Sequence, residues 1–369
     1  MKLKIAIAGT RGIPNHYGGY EQAVTFLSEG LVKKGHAVTV YNSHNHPYKE
    51  KIWKGVEIIH CYDPEKKIGT AGQFLYDLNC IRHARKQAYD ILLFMGYTSS
   101  SAWGRIFPKQ SLIISNMDGL EWKRSKYSKP VRIFLKYAEK LAVRFSHFHI
   151  ADSVAIKKYL DEKYGITSQF IPYGATISSA LSADHLKEFN TRQGEYYLLV
   201  ARMEPENNIE MILDGYIASG SVDKFLVIGN TGNSYGQKLV QKYIRNDTIH
   251  FAGALFDQHK LDNLRAFCKL YFHGHSVGGT NPSLLEAMAA GCIIAAHKNE
   301  FNEAVLGSEA RYFSTPGDVS RIILTETPAE IKTQWMKAQK NKIKEFYNWE
   351  HITDLYETFL LQCYTEQQA

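Results

Sequence analysis

The stretch HSVGGTNPSLLEAMAAG, residues His275–Gly291, decides the fold that this sequence predicts. Thr280 or Asn281 can cap a helix here, and Pro282 suits its first turn. Gly291 suits the helix end, because glycine readily adopts the left-handed conformation found there. The free N–H groups of such a helix start, together with the helix dipole, favour an anion such as a diphosphate. The preceding glycines would let that ligand approach the backbone closely.

Glu286 lies about one turn inside the predicted helix. From there its carboxylate can accept hydrogen bonds from the hydroxyls of a ribose. A second interpretation is that Ser283 and Glu286 form only a capping box, while the glycines form a tight turn. The residues of this segment alone leave both interpretations open, so the rest of the chain must decide between them.

Length and composition describe an ordinary globular chain. Its 369 residues predict two domains, at roughly 100–200 residues per domain. The five cysteines are scattered and show no CxxC spacing, which argues against a zinc site or a disulfide framework. The apolar run at the N-terminus is too short for a signal peptide, and no run of about 18 apolar residues occurs. We therefore expect a cytoplasmic protein.

Strands and helices alternate along both halves of the chain. The N-terminal half opens with the strand KIAIAG (Lys4–Gly9), a glycine-rich loop and an amphipathic helix over Glu21–Gly35. A second series opens with the strand EYYLLVAR (Glu195–Arg202). Such alternation predicts parallel sheets covered by helices on both faces, with ligands bound at the carboxyl ends of the strands.

The fold class that follows is α/β, with two Rossmann-like, doubly wound domains facing across a cleft. The first domain is expected over residues 1–173 and the second over residues 190–345. The residues between them show no clear period and read as a connection. The amphipathic segment over 346–369 either closes the second domain or crosses back to the first.

The segment around Glu286 resembles the C-terminal signature of the GT-B retaining glycosyltransferases, notably glycosyltransferase family 4. That signature has two glutamates eight residues apart, with Ala-Met-Ala after the second. Glu286 and the residues after it match the second half, whereas Gly278 stands in place of the first glutamate. The resemblance implies that Glu286 holds the ribose of a nucleotide. The first glutamate contacts the donor sugar in the family, and His275 or the backbone amides of Gly279 and Thr280 are its candidate replacements.

The segment VARMEPENNIEM, residues Val200–Met211, resembles a second element of this family, in which an arginine and a lysine neutralise the donor diphosphate. Arg202 matches the arginine, whose guanidinium can bind phosphate with two hydrogen bonds. Asn207 stands where the family has lysine. The resemblance therefore implies weaker phosphate binding, or another basic residue in that role. The alternative is that Arg202 is an ordinary surface cation.

The loop GTRGIPNHYGGYEQ, residues Gly9–Gln22, does not match G-x-G-x-x-G, which argues against an NAD-dependent dehydrogenase. It resembles the glycine-rich loop after the first strand of GT-B enzymes. The resemblance implies that Gly18 and Gly19 face the donor phosphates or the acceptor, and that Tyr17 lies on the acceptor side. An ordinary turn is the alternative.

The segment SNMDGLEWKR, residues Ser115–Arg124, stands where the family often has His-Gly near the reacting sugar. The resemblance implies that Asp118, or its rival Glu121, binds the acceptor or assists acid–base catalysis. An aspartate before a glycine is also an ordinary turn former. This variant resembles a bacterial subgroup that includes rhamnosyltransferases of surface polysaccharides, which makes dTDP-rhamnose the first expectation for the donor.

Four basic residues recur at every fourth position of a helix predicted near 130–146. They are Arg132, Lys136, Lys140 and Arg144, and the opposite, apolar face is expected to hold Val131, Phe134, Leu135, Ala138 and Leu141. With a net charge of +7, the stripe fits either a solvated helix face or a helix lying on an anionic membrane surface. No nucleic-acid-binding module occurs, so a nucleic-acid partner is not expected.

Two smaller segments add to the resemblance. VIGNTGNSYG, with Gly229, is similar to the loop that faces the donor, and FAGAL, with Phe251, to the strand end that packs on the base. HGHS resembles a metal-binding pair only superficially, since no further ligand lies at suitable spacing, and we expect no metal and no cofactor. The expected donor-binding set is Gly18, Gly19, Arg202, Asn207, Gly229, Phe251, His275, Gly278, Gly279, Thr280, Asn281 and Glu286.

The ordered set of motifs predicts a glycosyltransferase of the GT-B fold. It would move a sugar from a nucleotide donor to a glycan or a lipid-diphosphate-sugar acceptor, with retention, in surface polysaccharide synthesis. Its expected catalytic residues are Asp118, Arg202 and Glu286, and a peripheral position on the inner face of the cell membrane would suit its acceptor. Two alternatives remain, a nucleotide-sugar epimerase on the same fold and a non-catalytic nucleotide-sugar-binding protein.

Overall fold

A computed structural model describes residues 1–16, 18–117 and 119–368 of the protein. The chain forms two compact units. The first comprises Met1–Lys123, Tyr127–Tyr173 and Trp349–Ala369, and the second comprises Arg124–Lys126 and Gly174–Asn348. The final segment of the chain therefore returns to the first unit.

A mainly parallel sheet forms the centre of each unit. Within the described residues the strands are β1 (Lys4–Ala8), β2 (Ala37–Ser43), β3 (Ile52–Trp53), β4 (Val56–Cys61), β5 (Ile91–Met95), β6 (Leu112–Asn116), β7 (Phe148–Ala151), β8 (Ser168–Phe170), β9 (Tyr196–Val200), β10 (Lys224–Ile228), β11 (Ile249–Gly253), β12 (Leu270–His273), β13 (Ile294–His297) and β14 (Arg311–Phe313). The first sheet has the order β3-β4-β2-β1-β5-β6-β7-β8, with β3 antiparallel to β4. The second has the order β11-β10-β9-β12-β13-β14 and is parallel.

Helices connect the strands in both units. Over the same described residues they are α1 (Gly19–Lys33), α2 (Glu65–Ile68), α3 (Gly72–Ala84), α4 (Lys129–Phe145), α5 (Val154–Tyr164), α6 (Ile209–Ser219), α7 (Ser234–Tyr243), α8 (Gln258–Phe267), α9 (Pro282–Ala290), α10 (Glu300–Leu306), α11 (Pro316–Leu324), α12 (Ala329–Phe346) and α13 (Trp349–Gln368). Short 3-10 turns lie at Gly69–Ala71, Ser100–Ile106, Glu121–Lys123, Ala183–Phe189 and Pro205–Asn207. None of the described helices is both long and apolar enough to cross a bilayer.

The central strands are apolar on both faces, as parallel sheets between two helix layers require. All five residues of β5 are buried, and so are four of the five residues of β9. The prediction of an α/β fold with parallel sheets is therefore confirmed.

The second sheet brings two of the predicted site segments to one edge. β9 and β12 are parallel neighbours, and Phe272 pairs with Leu199 near their carboxyl ends. Arg202 follows β9 and His275 follows β12 within two residues. Both residues therefore emerge at the edge where ligands bind in open α/β sheets.

The last helix, α13, packs on α1 in the first unit. Phe26 of α1 stacks on Trp349, with ring centroids 4.6 Å apart. Further along, Nε2 of His36 lies 3.1 Å from a carboxylate oxygen of Glu357. Ile352, Tyr356, Leu360 and Cys363 form the buried face of the helix. This helix is thus an integral layer of the first unit.

The exposed face of α4 differs from the predicted one. Leu135 and Ala138 are buried, as the sequence pattern predicts. The same pattern places Val131 and Phe134 on the buried side, but they are 40% and 37% exposed. This part of the prediction is wrong.

A buried carboxylate also lies on the inward side of α4. Glu139 is 1% exposed and accepts hydrogen bonds from Trp122 at 2.9 Å, Tyr159 at 2.8 Å and Lys163 at 2.7 Å. These donors satisfy the carboxylate, so it can occupy the inward side of the helix.

Candidate functional site

The start of α9 has the cap that the sequence predicts. The side chain of Asn281 accepts a hydrogen bond from the Ser283 amide at 2.9 Å, and Pro282 occupies the first turn. Gly291 ends the helix in the left-handed conformation, with φ of 76°. Asn281, rather than Thr280, is therefore the cap, and the helix start leaves other amides for an anion.

Glu286 is held by a buried arginine rather than by a capping box. Its Oε2 atom accepts a hydrogen bond from Arg265 at 2.6 Å, and the Arg265 side chain is 1% exposed. Ser283 contacts the hydroxyl of Tyr271 at 2.8 Å instead of capping the helix. Burial disfavours the charge of Arg265, but Glu286 opposes this effect, and the pKa of Arg265 lies above its usual value. The carboxylate of Glu286 is therefore fixed by its ion pair with Arg265.

Arg202 presents a charged group at the same edge of the second sheet. Its side chain is 66% exposed and lies 3.8 Å from a carboxylate oxygen of Glu204. Burial alone would raise the pKa of Glu204, but Arg202, Lys126 and Arg124 lower it below the usual value. Most of the Arg202 guanidinium remains open to solvent, so it can receive an anion without losing a buried partner.

Asn207 does not replace the charge of the missing lysine. Its Nδ2 atom donates to the backbone carbonyl of Arg202 at 2.7 Å, and its Oδ1 atom lies 3.0 Å from Nδ1 of His275. The residue is 7% exposed. Asn207 therefore links the loop after β9 to the loop after β12.

His275 is fixed from several sides. Its backbone carbonyl accepts hydrogen bonds from Asn299 at 3.1 Å and from Asn302 at 2.9 Å. Burial is the main cause that brings the pKa of its ring well below the usual value, and the neighbouring His273, Arg124 and Arg202 add to it. The ring is therefore neutral near pH 7.

Gly278 lies against the His275 ring. Its φ is 128°, and a Cβ atom placed there would be 3.0 Å from Nε2 of His275. Any other residue would be strained in this conformation and crowded by the ring. Gly279 and the buried Thr280 continue the loop towards the Asn281 cap. The absence of a glutamate at position 278 thus has a structural cause.

Packing accounts for two other predicted donor residues. A Cβ atom at Gly229 would lie 2.0 Å from the backbone oxygen of Ala201, so the close approach of β10 and β9 requires glycine. Phe251 is partly buried and packs on the hydrophobic core of the second unit. Gly229 follows β10 directly and Phe251 is the middle residue of β11, and their contact with a donor stays a prediction.

In the first unit, side chains hold the glycine-rich loop in place. The Arg11 amide donates to Glu21 at 3.0 Å, and the amide and carbonyl of Ile13 both bond to Asn42, at 3.0 and 2.7 Å. Gly18 is the residue before α1, and Gly19 begins that helix. These bonds fix Arg11 and Ile13, in the described part of the loop at the carboxyl end of β1.

The acceptor-side residues are described only in part. Tyr17 and Asp118 lie outside the described residues, so their predicted roles stay predictions. Glu121 begins the 3-10 turn that ends at Lys123 and is half-buried.

Sequence reasoning missed two charged residues of the second unit. Arg265 holds Glu286. The sequence feature that could have identified it is its position four residues after Leu261, which puts it on the buried face of α8. Arg124 lies 3.8 Å from the position of a Cβ atom on Gly278 and 3.5 Å from Glu206. It belongs to the run of basic residues that the sequence shows, but nothing in that run marks this contact.

Among the described residues no cluster of His, Cys, Asp and Glu has the arrangement of a metal site.

Two family models match the chain. Residues 183–324 match the model described as Glycosyl transferases group 1, and residues 2–176 match the model described as Domain of unknown function (DUF1972). No curated protein matches the chain in sequence.

Several solved structures are similar over nearly the whole chain. Sucrose-phosphate synthase from Thermosynechococcus elongatus is 17% identical, with a TM-score of 0.79, 99% of this chain and 100% of that chain being covered. HepE from Anabaena, solved with UDP and glucose, is 15% identical, with a TM-score of 0.78 and coverage of 98% and 100%. The α,α-trehalose 6-phosphate synthase from Burkholderia multivorans is 9% identical, with a TM-score of 0.70 and full coverage of both chains, at 100%.

These likenesses show that the chain has the GT-B fold, which confirms the predicted fold class. The match over residues 183–324 adds the activity class, and the chain is a glycosyltransferase.

Proposed function

We propose that this glycosyltransferase moves a sugar from a nucleoside diphosphate to a glycan or lipid-diphosphate-sugar acceptor, with retention, in surface polysaccharide synthesis. The observation that carries the proposal is the carboxylate of Glu286, fixed by Arg265 one turn inside a capped helix start. Among the described residues Oε1 of Glu286 has no donor, which leaves it available to ribose hydroxyls.

The diphosphate would bind where α9 begins. The N–H groups after Asn281 and the dipole of α9 favour its negative charge, and the exposed Arg202 supplies a cation at the same sheet edge. In the transition state the bond between the sugar and the diphosphate breaks, and the diphosphate gains negative charge. Fixed donors and cations stabilise that charge without reorganising. Retention would follow from attack on the face of the sugar that the diphosphate leaves, as the family resemblance implies.

The donor is proposed to be a dTDP- or UDP-linked hexose. The resemblance to the rhamnosyltransferase subgroup favours dTDP-rhamnose. HepE, which has the same fold, was solved with UDP-glucose. These two nucleotide sugars are therefore the first to test.

Thermal shift with UDP, dTDP, UDP-glucose and dTDP-rhamnose tests the nucleotide part of the proposal. A ligand at 100 times its dissociation constant stabilises by roughly 2.7 kcal/mol, which such a measurement resolves. The stabilising donor is then incubated with a lipid-diphosphate sugar, and the product is analysed for the anomeric configuration. Product formation supports the proposal. Isomerised donor without acceptor would indicate an epimerase, and binding without turnover a non-catalytic protein.

We place the enzyme on the cytoplasmic face of an anionic membrane, held there by α4. Ile133 is 72% exposed and Tyr137 is 56% exposed, and both lie on the face of α4 that carries Lys136 and Lys140. Exposed apolar side chains among lysines are the pattern of a helix that lies in a lipid interface. A lipid-linked acceptor would be within reach of an enzyme held in this way.

A further inference from the structure

The chain departs from the family signature at two positions, and both contact one histidine. Asn207 stands in place of the lysine, and its Oδ1 atom lies 3.0 Å from Nδ1 of His275. Gly278 stands in place of the first glutamate, and it packs against Nε2, the other nitrogen of the same ring. The two departures are therefore parts of one arrangement.

The hydrogen bonds of Asn207 define which nitrogen of His275 carries the proton. The Nδ2 atom of Asn207 donates to the Arg202 carbonyl at 2.7 Å, so Oδ1 is the atom that faces the histidine. An amide oxygen can only accept, and Nδ1 of His275 must donate to it. In the neutral ring, Nε2 then carries a lone pair and acts as a hydrogen-bond acceptor.

The lone pair of Nε2 has no donor among the described residues, and only Nδ1 has a partner there. Nε2 lies beside the backbone of Gly278, three residues before the Asn281 cap of α9. A sugar attached to a diphosphate at that helix start would be next to this loop. Its hydroxyls are hydrogen-bond donors of the kind that an imidazole nitrogen accepts.

We propose that Nε2 of His275 accepts a hydrogen bond from a hydroxyl of the donor's sugar, in place of the missing glutamate, and that Asn207 is its positioning residue. This proposal rests on the proposed function. Asn207 and Gly278 together preserve the net charge of the signature, because one positive and one negative side chain are both absent. Asn207 and His275 thus replace an ionic arrangement with a neutral one.

The competing explanation is that His275 serves packing alone. Its backbone carbonyl is bonded by Asn299 and Asn302, so the loop depends on its position in any case. A packing role would affect the nucleotide and the sugar contacts alike, whereas the proposed role concerns the sugar only. The two explanations therefore differ in the ligands for which a His275 variant loses affinity.

The first experiment compares sugar-free and sugar-bearing ligands. Binding of UDP, dTDP, UDP-glucose and dTDP-rhamnose is measured for the wild type, His275→Ala and His275→Gln, with transfer kinetics for the better donor. For His275→Ala we expect unchanged affinity for the nucleoside diphosphate and a loss in kcat/KM of at least about fivefold, the effect of one neutral hydrogen bond. Glutamine offers an acceptor oxygen and should restore part of the loss. His259→Gln, an exposed histidine of α8 bonded to the Ala180 carbonyl, is the control.

The second experiment tests Asn207 through the pH profile. Within the described part of the chain, the charged and titratable groups that act on the His275 ring are His273, Arg124 and Arg202. Asn207→Asp adds a negative charge beside Nδ1, which raises the pKa of His275. Protonated His275 has no lone pair on Nε2, so kcat/KM of this variant should fall as the pH drops from about 8 to 6. The wild type should show no such fall.

The outcomes separate the two proposals. A wild type that neither binds nor turns over either nucleotide sugar overturns the proposed function, and this inference with it. An active wild type in which His275→Ala and His275→Gln, both folded, lose nucleoside diphosphate and nucleotide sugar equally overturns only the role of His275. An Asn207→Asp profile identical to the wild type overturns the positioning role of Asn207.

Discussion

Arg265 is the residue on which the position of Glu286 depends. It is fully buried, and its counter-charges are Glu286 at 2.6 Å and Asp262 at 3.4 Å. A buried ion pair adds little over an apolar pair, but removing one partner leaves a charge in a medium that cannot solvate it. The pair therefore couples the ribose-binding carboxylate to the stability of the second unit.

We expect Arg265→Met to destabilise the second unit by about 3–5 kcal/mol, because Glu286 loses its buried partner. Thermal unfolding measures this loss as a drop in Tm of at least about 6 °C. Arg321→Met is the matched control, since Arg321 contacts Asp318 at the same 2.6 Å but is 73% exposed. Exposed pairs contribute about 0–1 kcal/mol, so this variant should unfold like the wild type. Equal Tm values for the two variants would contradict the role of Arg265.

Asp77 should make the first unit less stable as the pH rises. It is 3% exposed, accepts a hydrogen bond from Ser99 at 2.5 Å, and burial raises its pKa to about 7. The folded protein therefore holds this proton more tightly than the unfolded chain, and the associated stability is present below about pH 4 and lost towards pH 7.

Asp77→Asn keeps the acceptor for Ser99 but removes the titration. We expect a higher Tm than the wild type at pH 8 and a difference near zero at pH 4, from thermal unfolding followed across pH. Asp184→Asn is the control, because Asp184 is an exposed residue and its pKa is lowered by Lys187, the opposite direction. If the Tm difference between Asp77→Asn and the wild type does not change with pH, Asp77 does not titrate in this range.

At the scale of elements, α4 shows what a helical period can and cannot predict. Its period of basic residues and its bounds near 130–146 are correct, and so is the burial of Leu135 and Ala138. The inward position of Glu139 depends on donors outside α4, because Tyr159 and Lys163 come from α5. No local pattern contains that information, because it arises from packing between helices.

We expect α4 to bind vesicles of phosphatidylglycerol and phosphatidylcholine, but not of phosphatidylcholine alone. Ile133→Ser with Tyr137→Ser should weaken sedimentation with the vesicles, and Lys140→Gln should weaken it about fivefold, the effect of one basic residue. Ile244→Ser is the control, because Ile244 is 70% exposed on the second unit, close to the 72% of Ile133. An equal effect of the Ile244 variant would contradict a specific role for α4.

The strands were easier to predict than the site. β5 and β9 are apolar runs that the sequence displays directly, whereas β3 has two residues and too little pattern to be recognised. The start of α9 was predicted correctly because caps are local. The pairs Arg265–Glu286 and Asn207–His275 join residues 21 and 68 positions apart, and only the folded sheet brings them together.

At the scale of the whole molecule, the residues proposed to hold the nucleotide belong to the second unit. Arg202, Glu286 and the α9 start all lie within Gly174–Asn348, and the glycine-rich loop belongs to the first unit. An experiment that distinguishes the two units can therefore test whether the loop contacts the donor.

Hydrogen exchange with and without a bound nucleoside diphosphate should show this division. We expect slower exchange at the α9 start and after β9, because the anion occupies those amides, and no change in β5 of the first unit. Slower exchange at Gly18 and Gly19 as well would support their predicted contact with the donor. Protection confined to the first unit would contradict the proposed nucleotide site.

The return of α13 to the first unit has a consequence for protein synthesis. A ribosome makes Met1–Lys123 first, yet the helix that covers α1 is formed from Trp349 onward. The second unit can complete its core before α13 has been made. Phe26 of the first unit lacks its stacking partner Trp349 until then. The part of the chain that emerges earliest is therefore expected to finish folding last, and to need protection from aggregation in the meantime.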